Sequence, residues 1–197
     1  MSRITKLPVS EWHPELRQRF RAEQATPLEQ GTMRIFAHRP AIAQGVISLG
    51  LGVSKDWTLG PRLKELVRLR LAFHNQCRSC LAIRYSDAVD AGVDEDLVCS
   101  LENPPEAKDL SEAEKTALQY ADLFATNHLR IDDALFEKLR QHYSEPQLVE
   151  LGVWVAFCVG FGRLGAVWDM VEELPEAYQE KTGSPITPWS GAPVVVR

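Results

Sequence analysis

Apolar residues recur three and four positions apart along most of the chain, which predicts a protein built from α-helices. The clearest case is the segment 110–125, where the apolar positions follow a capping box formed by Ser111 and Glu114. A second amphipathic helix is predicted at 131–143. No segment shows a convincing alternation of apolar and polar residues. The predicted fold class is therefore all-α, with a short extended piece expected only in the final PVVVR.

Two further helices are predicted to be apolar on nearly every side. The first is GPRLKELVRLRLAFHN, and the second runs from about Glu145 to Met170 and contains LGVWVAFCVGFG. A helix of this kind is buried on most of its surface. In a chain of 197 residues, two such helices predict that the protein is a homo-oligomer. Between them, the segment from Cys77 to Gly92 is predicted to be a single helix that ends at the glycine.

Composition and charge narrow the class of protein. The length suits one domain with a sizeable core, and 45% hydrophobic and 25% charged residues are typical of a water-soluble globular protein. The net charge of −5 argues against nucleic acid as the main partner. The longest uncharged run, 151–162, is shorter than the roughly 20 residues that cross a bilayer. The first residues lack the apolar core of a secretory signal, so a cytoplasmic location without membrane attachment is expected.

The candidate chemistry lies in one closely spaced cysteine pair, Cys77 and Cys80. At the start of a helix, residues three apart lie on one face, at a separation that suits a disulfide. The helix N-terminus and nearby cations favour the reactive thiolate. Between positions 62 and 84 the chain has a single acidic residue, Glu65, and six basic ones. These basic residues are Arg62, Lys64, Arg68, Arg70, Arg78 and Arg84.

Other interpretations of the same residues stay open. His74 with the two cysteines would give three of the four ligands of a structural zinc site, but no fourth ligand is evident. The cysteines could also be inert and buried, since cysteine is often a small apolar residue. Glu65 could form an ordinary exposed ion pair with Arg68 at i+3. A redox pair is the favoured interpretation, and no metal or cofactor is expected.

The segment around the cysteines resembles the carboxymuconolactone decarboxylase-like superfamily, in its alkylhydroperoxidase AhpD-like branch. Glu65 stands twelve positions before Cys77 in the motif Cys77-Arg78-Ser79-Cys80, as the family pattern requires. The helices upstream and downstream are also similar to those of the family, over about residues 30 to 170. The resemblance implies one AhpD-like helical domain over 1–197, with its core at 30–170, a tail at 180–197, and assembly into trimers or hexamers. A dimer is the other possibility.

The resemblance also implies roles for the site residues. Cys80 would attack peroxide, Cys77 would resolve the resulting sulfenic acid as a disulfide, and Glu65 would belong to a proton relay. The family's relay histidine falls on Arg84, which could stabilise a thiolate but cannot pass protons. His74 could replace the missing base, although a histidine near a helix end is more often a surface or capping residue.

The favoured function is a thiol-dependent peroxidase or disulfide oxidoreductase that reduces hydroperoxides with electrons from an unidentified dithiol or protein reductant. One alternative is a non-redox enzyme of the carboxymuconolactone decarboxylase type, whose chemistry needs no thiol. The other is a redox-sensing helical assembly in which the replacement of the histidine by Arg84 has weakened turnover.

Overall fold

The computed structural model describes residues 2–52, 57–180, 184–192 and 194–197. These ranges are mostly helical, as the sequence predicts. The α-helices are α1 (Pro14–Phe20), α2 (Pro27–Gln30), α3 (Met33–Phe36), α4 (Pro40–Gly52), α5 (Pro61–Asn75), α6 (Arg78–Ala82), α7 (Ser86–Asp90), α8 (Glu95–Cys99), α9 (Glu112–Thr126), α10 (Asp133–Arg140) and α11 (Glu145–Trp168). Two short strands, β1 (Ile83–Arg84) and β2 (Val195–Val196), pair in parallel.

The helix ends follow the sequence signals. Ser111 and Glu114 form the predicted capping box at the start of α9. Ser144 and Gln147 form the same motif at the start of α11. Each box satisfies backbone N–H groups that the first turn of a helix leaves without an intrahelical acceptor. These caps fix where α9 and α11, which both pack against α5, begin.

The core is organised around α5. Its apolar side chains are buried almost completely, and α5 packs against α6, α7, α9 and α11 of the same chain. The sequence argument that α5 needs a neighbouring subunit to cover it was therefore wrong. Exposed large apolar side chains lie instead on α4 and α11, and homo-oligomerisation stays a prediction that now depends on them. They are Ile42, Leu49 and Leu51 on α4, and Val149, Val153 and Val167 on α11.

Helix α11 also has the length and composition of a membrane span, with a mean hydropathy of 1.6 over its most apolar window. The core helix of a globular domain has the same properties. In this fold α11 packs against α5, α9 and α10, as a core helix does. One such helix is weak evidence for a membrane protein.

The segment Cys77 to Gly92 is not the single helix that its apolar pattern predicts. It forms α6, then β1, then α7. The break has a physical cause: Ile83 and Arg84 adopt extended backbone and pair with β2 near the end of the described chain. A partner 112 positions away in sequence (196 − 84) is not visible in local periodicity. The extended piece expected in PVVVR is thereby confirmed, and β1 is the element that the prediction missed.

The described part of the predicted tail lies against its own chain. Trp189 packs against Phe73, with ring centroids 4.9 Å apart. The backbone N–H of Ile186 donates to the side-chain oxygen of Gln76. Together with β2, these contacts place the described residues of 186–197 beside the end of α5 and the beginning of β1, next to the cysteine pair.

Candidate active site

The cysteine pair occupies the junction between α5 and α6. Gln76 ends α5 with a left-handed backbone conformation (φ 50°), which turns the chain so that Cys77 becomes the N-cap of α6. Cys77 and Cys80 form a disulfide with Cα atoms 5.2 Å apart. The backbone N–H of Cys80 donates to the Cys77 sulfur, as a helix N-terminus allows. Cys77 is buried and Cys80 half-buried, so Cys80 is the more accessible residue of the pair.

Glu65 and Arg68 form a buried ion pair beside this disulfide. Two nitrogens of the Arg68 guanidinium each lie 2.7 Å from a carboxylate oxygen of Glu65. The same guanidinium donates to the backbone carbonyls of Cys80 and Ile83, both at 2.7 Å. The side chains of Arg68 and Glu65 are only 9% and 3% exposed, so the interpretation as an ordinary exposed pair was wrong.

Arg68 stays protonated in this environment. Burial alone would lower the pKa of the Arg68 guanidinium, but the adjacent carboxylate of Glu65 raises it above its ordinary value. A permanent cation therefore lies against the backbone of the cysteine helix. Glu65 binds this cation, so its contact with the cysteine region is made by way of Arg68.

Arg84 is almost fully buried, but its hydrogen bonds are made to groups other than the cysteine pair. It forms a two-point ion pair with Glu95, and it donates to the carbonyls of Leu81, Ile83 and Pro188. These contacts use all five N–H groups of the guanidinium. Arg84 thus has no N–H left to donate to a Cys80 thiolate, and its visible role is to join β1 to α8 and the tail. Its predicted role in catalysis is not tested by these contacts.

His74, which sequence reasoning considered as a base for the cysteine pair, makes its hydrogen bond to α9 instead. Its Nε2 lies 2.7 Å from a carboxylate oxygen of Asp122 on α9, and Arg70 binds the same carboxylate. Burial would raise the pKa of Asp122, but the hydrogen bonds from His74 and Arg70 lower it overall. The proposed zinc ligands are not brought together. Among the described residues, no three His, Cys, Asp or Glu side chains converge on a possible metal position.

A cavity of about 310 Å³ opens against both cysteines. One wall is an aromatic row on α11 and α3, with neighbouring ring centroids 4.6 to 6.2 Å apart. The row consists of Trp154, Phe157, Phe161 and Phe36. Arg68 and Tyr85 also border the cavity, with the guanidinium carbon 4.9 Å from the tyrosine ring centroid. Such a cavity suits a compact apolar or aromatic molecule next to the cysteines.

Asn75 also borders this cavity. Its side-chain N–H donates to the carbonyl of Cys158 at 2.9 Å, while its Oδ1 is buried and has no hydrogen-bond partner among the described residues. An added Cβ at Gly162 would lie 2.4 Å from the Asn75 amide nitrogen, so only glycine at 162 lets α11 approach this closely. An unpaired buried acceptor costs about 1–3 kcal/mol, which makes Asn75 a notable member of the site.

The two remaining cysteines have different environments. Cys99 is exposed, whereas Cys158 is buried and lines the cavity. Burial raises the pKa of the Cys158 thiol to about 12, although Arg68 nearby acts in the opposite direction. Cys158 is therefore a neutral thiol at any physiological pH.

We expect Cys158 to stay unmodified when the reduced, folded protein is treated with iodoacetamide at pH 8, because alkylation requires the thiolate. Cys99 and Cys80 should be alkylated, and unfolding in denaturant should make all four cysteines reactive. After mild oxidation, peptide mapping should find a single bridge, between Cys77 and Cys80. A Cys99–Cys158 bridge, or alkylation of Cys158 in the folded protein at the rate of Cys99, would contradict these assignments.

Sequence reasoning missed three parts of this site. Arg68 was considered as a surface partner of Glu65 and as one of six basic residues near the cysteines, not as the buried cation that contacts the backbone of Cys80. The aromatic residues of the cavity wall were interpreted as part of the hydrophobic core, because aromatic side chains at helical spacing are usually core residues. Asn75, at the end of α5, carries no sequence signal that separates it from an ordinary helix-ending residue.

Comparison with known proteins places the chain among related folds. Residues 40–123 match the model of the carboxymuconolactone decarboxylase family. The uncharacterized protein Rv2313c of Mycobacterium tuberculosis is 37% identical over 101 residues, which is 50% of this chain and 35% of that protein. The uncharacterized protein YdfG of Bacillus subtilis is 29% identical over 99 residues, covering 50% of this chain and 67% of YdfG. The chain thus spans about a third of the mycobacterial relative's length.

Solved structures share the fold over nearly the whole chain. The alkylhydroperoxidase AhpD core protein of Ralstonia eutropha superposes with a TM-score of 0.70 at 18% identity, covering 90% of this chain and 94% of that one. The debrominase Bmp8 has a TM-score of 0.73 at 22% identity, covering 91% and 97%. At these identities the likeness concerns the fold alone. A variant of Bmp8 in which one cysteine is replaced by alanine is also known in complex with 2,3,4-tribromopyrrole.

Proposed function

We propose that the chain is an enzyme of the carboxymuconolactone decarboxylase-like superfamily, in its AhpD-like branch, that reduces organic hydroperoxides with Cys77 and Cys80 as its redox pair. The match of residues 40–123 to the family model and the AhpD-like fold support this proposal. The observation that carries the proposal is the position of the two cysteines. They form a disulfide, and both line an apolar cavity large enough for a small organic molecule.

The burial of the two cysteines supports the role of each in this reaction. The thiolate of Cys80, the more exposed of the two residues, attacks the terminal oxygen of the hydroperoxide. The O–O bond breaks, Cys80 becomes a sulfenic acid, and the alkoxide leaves and takes a proton from water. The thiol of Cys77 then displaces the sulfenic hydroxyl, which gives a disulfide and one molecule of water. An external dithiol supplies the two electrons and two protons that restore the free thiols.

Arg68 is the cation best placed to assist the first step. It lines the cavity with Cys80 and binds the Cys80 carbonyl, so its charge favours the thiolate and the departing alkoxide. Glu65 holds the guanidinium in this position through two hydrogen bonds. In this proposal Glu65 orients Arg68, and proton transfer to the alkoxide comes from solvent.

The reaction is tested by steady-state consumption of cumene hydroperoxide and hydrogen peroxide with dithiothreitol as reductant. We expect kcat/KM to be at least about tenfold higher for the aromatic hydroperoxide, because an apolar cavity adds binding energy only for an apolar body. A preference for hydrogen peroxide would contradict the assignment of the cavity as substrate site. Peroxide consumption that survives alkylation of Cys77 and Cys80 would reject the cysteine pair as the redox centre.

Reductive dehalogenation of a small aromatic compound is the second candidate. The aromatic wall next to the cysteines favours it, and the similar structure Bmp8 is a debrominase that binds a brominated pyrrole. The balanced reaction replaces carbon–bromine by carbon–hydrogen, releases bromide and a proton, and oxidises two thiols to a disulfide. Bromide release from 2,3,4-tribromopyrrole in the presence of dithiothreitol would support this function. Absence of bromide, with active peroxide reduction, would reject it.

A further inference from the structure

Tyr85 borders the cysteine cavity because the backbone that leads to it is extended. Ile83 and Arg84 form β1, and Tyr85 continues the extended conformation (φ −93°, ψ 133°) as the N-cap residue of α7. Side chains alternate between the two faces of an extended chain. Ile83 and Tyr85 accordingly both border the cavity, whereas Arg84 binds α8 and the tail. The position after the one that the family resemblance marks for the proton relay is therefore the one at the cavity.

The ring of Tyr85 is held in place beside two arginines. The guanidinium carbons of Arg68 and Arg197 lie 4.9 Å and 5.9 Å from the centroid of the tyrosine ring. The backbone N–H of Arg197 donates to the carbonyl of Arg84, and the N–H of Ser86 donates to the carbonyl of Arg197. The backbone on both sides of Tyr85 is thus tied to the end of the tail. A phenol positioned in this way before a substrate enters loses little freedom in the reaction.

The hydroxyl of Tyr85 is available to a substrate. The residue is 37% exposed, and its hydroxyl makes no hydrogen bond to any residue that the structure describes. Its neighbour Arg68 can stabilise negative charge but keeps its proton at any working pH. A phenol can donate a proton to an alkoxide, which is a much stronger base than a phenolate. Because the residue is partly exposed, water can return that proton.

We infer that Tyr85 is the general acid of the proposed peroxide reduction, an inference that rests on that function. Its hydroxyl binds the oxygen that leaves with the organic group and protonates this oxygen as the O–O bond breaks. Cys80 gains the terminal hydroxyl as a sulfenic acid, the alkoxide becomes an alcohol, and the phenolate regains a proton from water. Solvent is still the source of the proton, and Tyr85 is its route. The transient negative charge forms near the guanidiniums of Arg68 and Arg197, which attract it.

The test compares leaving groups in a single turnover of the reduced protein, with oxidation of Cys80 followed by rapid quenching and peptide mass spectrometry. Cumene hydroperoxide releases a strongly basic alkoxide, whereas 3-chloroperbenzoic acid releases a carboxylate that needs no proton. We expect Tyr85→Phe to lower the rate with cumene hydroperoxide by about a hundredfold, as is typical for loss of a general acid. The rate with the peracid should stay at the wild-type value. Alkylation of Cys80 by iodoacetamide, which releases iodide, should also be unchanged.

Tyr120→Phe is the matched control. It removes the same hydroxyl from a buried tyrosine on α9 and should leave the rates with both oxidants unchanged. Resistance of Cys158 to alkylation in Tyr85→Phe shows that this variant is folded. Should it fail to fold, wild type is compared with dithiothreitol in water. The ratio of the cumene hydroperoxide rate to the peracid rate should be about a hundredfold higher for the protein, and equal ratios would overturn the inference.

The remaining outcomes separate the role of Tyr85 from the reaction itself. A wild-type rate with cumene hydroperoxide in Tyr85→Phe would reject the role and retain the reaction. An equal loss with both oxidants would mean that the phenol only shapes the cavity, which also rejects the role. If neither oxidant oxidises Cys80 in the wild-type protein, the proposed reaction is wrong and the role of Tyr85 is rejected with it.

Discussion

Replacing Cys80 by serine is expected to abolish hydroperoxide reduction, with turnover lowered by at least about a thousandfold. A serine hydroxyl forms neither a sulfenic acid nor a disulfide, so neither chemical step can begin. Replacing Cys77 by serine should instead permit one turnover per protein, because Cys80 can still attack but no thiol resolves the product. The trapped sulfenic acid should be labelled by dimedone and detected as a mass increase on the peptide that contains Cys80.

Cys99→Ser is the matched control for this pair. Cys99 is exposed and unbridged in α8, so its replacement should leave both the rate and the dimedone labelling at wild-type levels. If Cys77→Ser is inert and Cys80→Ser accumulates the dimedone adduct, the attacking and resolving roles are reversed. If neither variant loses activity, the cysteine pair is not the redox centre.

Replacing Arg68 by methionine is expected to have the largest effect on folding, a loss of about 3–5 kcal/mol in the free energy of unfolding. The substitution leaves the carboxylate of Glu65 buried, with its side chain 3% exposed and without its cation. It also removes the hydrogen bonds to the carbonyls of Cys80 and Ile83. A typical domain has only about 5–15 kcal/mol of stability, so the change should be evident as a lower denaturant midpoint.

A double variant separates the effect of Arg68 on stability from its effect on the reactivity of Cys80. In the double variant Glu65→Leu and Arg68→Met, no buried charge is left unpaired, so the free energy of unfolding should return to near the wild-type value. Alkylation of Cys80 at pH 7 in the reduced protein should be slower than in wild type in both the single and the double variant, because the cation that favours the Cys80 thiolate is absent. Recovery of both properties in the double variant would mean that Arg68 acts only on folding.

Arg84→Met provides the comparison, because Arg84 is a buried arginine like Arg68. Its guanidinium makes five hydrogen bonds. Its partner Glu95 is half-exposed, so the loss of this pair leaves a carboxylate that water can solvate. We expect Arg84→Met to loosen the contact between β1 and the tail while the alkylation rate of Cys80 stays at the wild-type level. Slower alkylation in Arg84→Met together with a normal rate in Arg68→Met would support the role at the cysteine pair that the resemblance to the family implies for position 84.

Local signals were sufficient for most of the helical architecture. Capping residues such as Ser111 and Ser144 act through backbone groups three positions away, so the starts of α9 and α11 could be read directly. The same holds for the cysteine pair, whose geometry depends on one helical turn. These features are local in sequence, and local physics determines them.

Features that depend on distant parts of the chain could not be read in this way. The extended backbone at Ile83 has its cause in Val195, and the use of all five N–H groups of Arg84 depends on α8 and on Pro188. The burial of Arg68 likewise depends on the packing of α5 and α6 against α11. A basic residue near the cysteines could be recognised from sequence, but which of six would face them depended on tertiary contacts.

The parallel pairing of β1 with β2 has a consequence for the order in which the protein assembles during synthesis. The bridge between Cys77 and Cys80 spans three positions and requires only the turn at the start of α6. The contact of Ile83 with Val195 spans 112 positions (195 − 83), and contacts of such high sequence separation form slowly. A nascent chain on the ribosome therefore presents the complete cysteine motif well before β2 has been translated. Oxidation of the two thiols can therefore precede the ordering of the polypeptide that follows them.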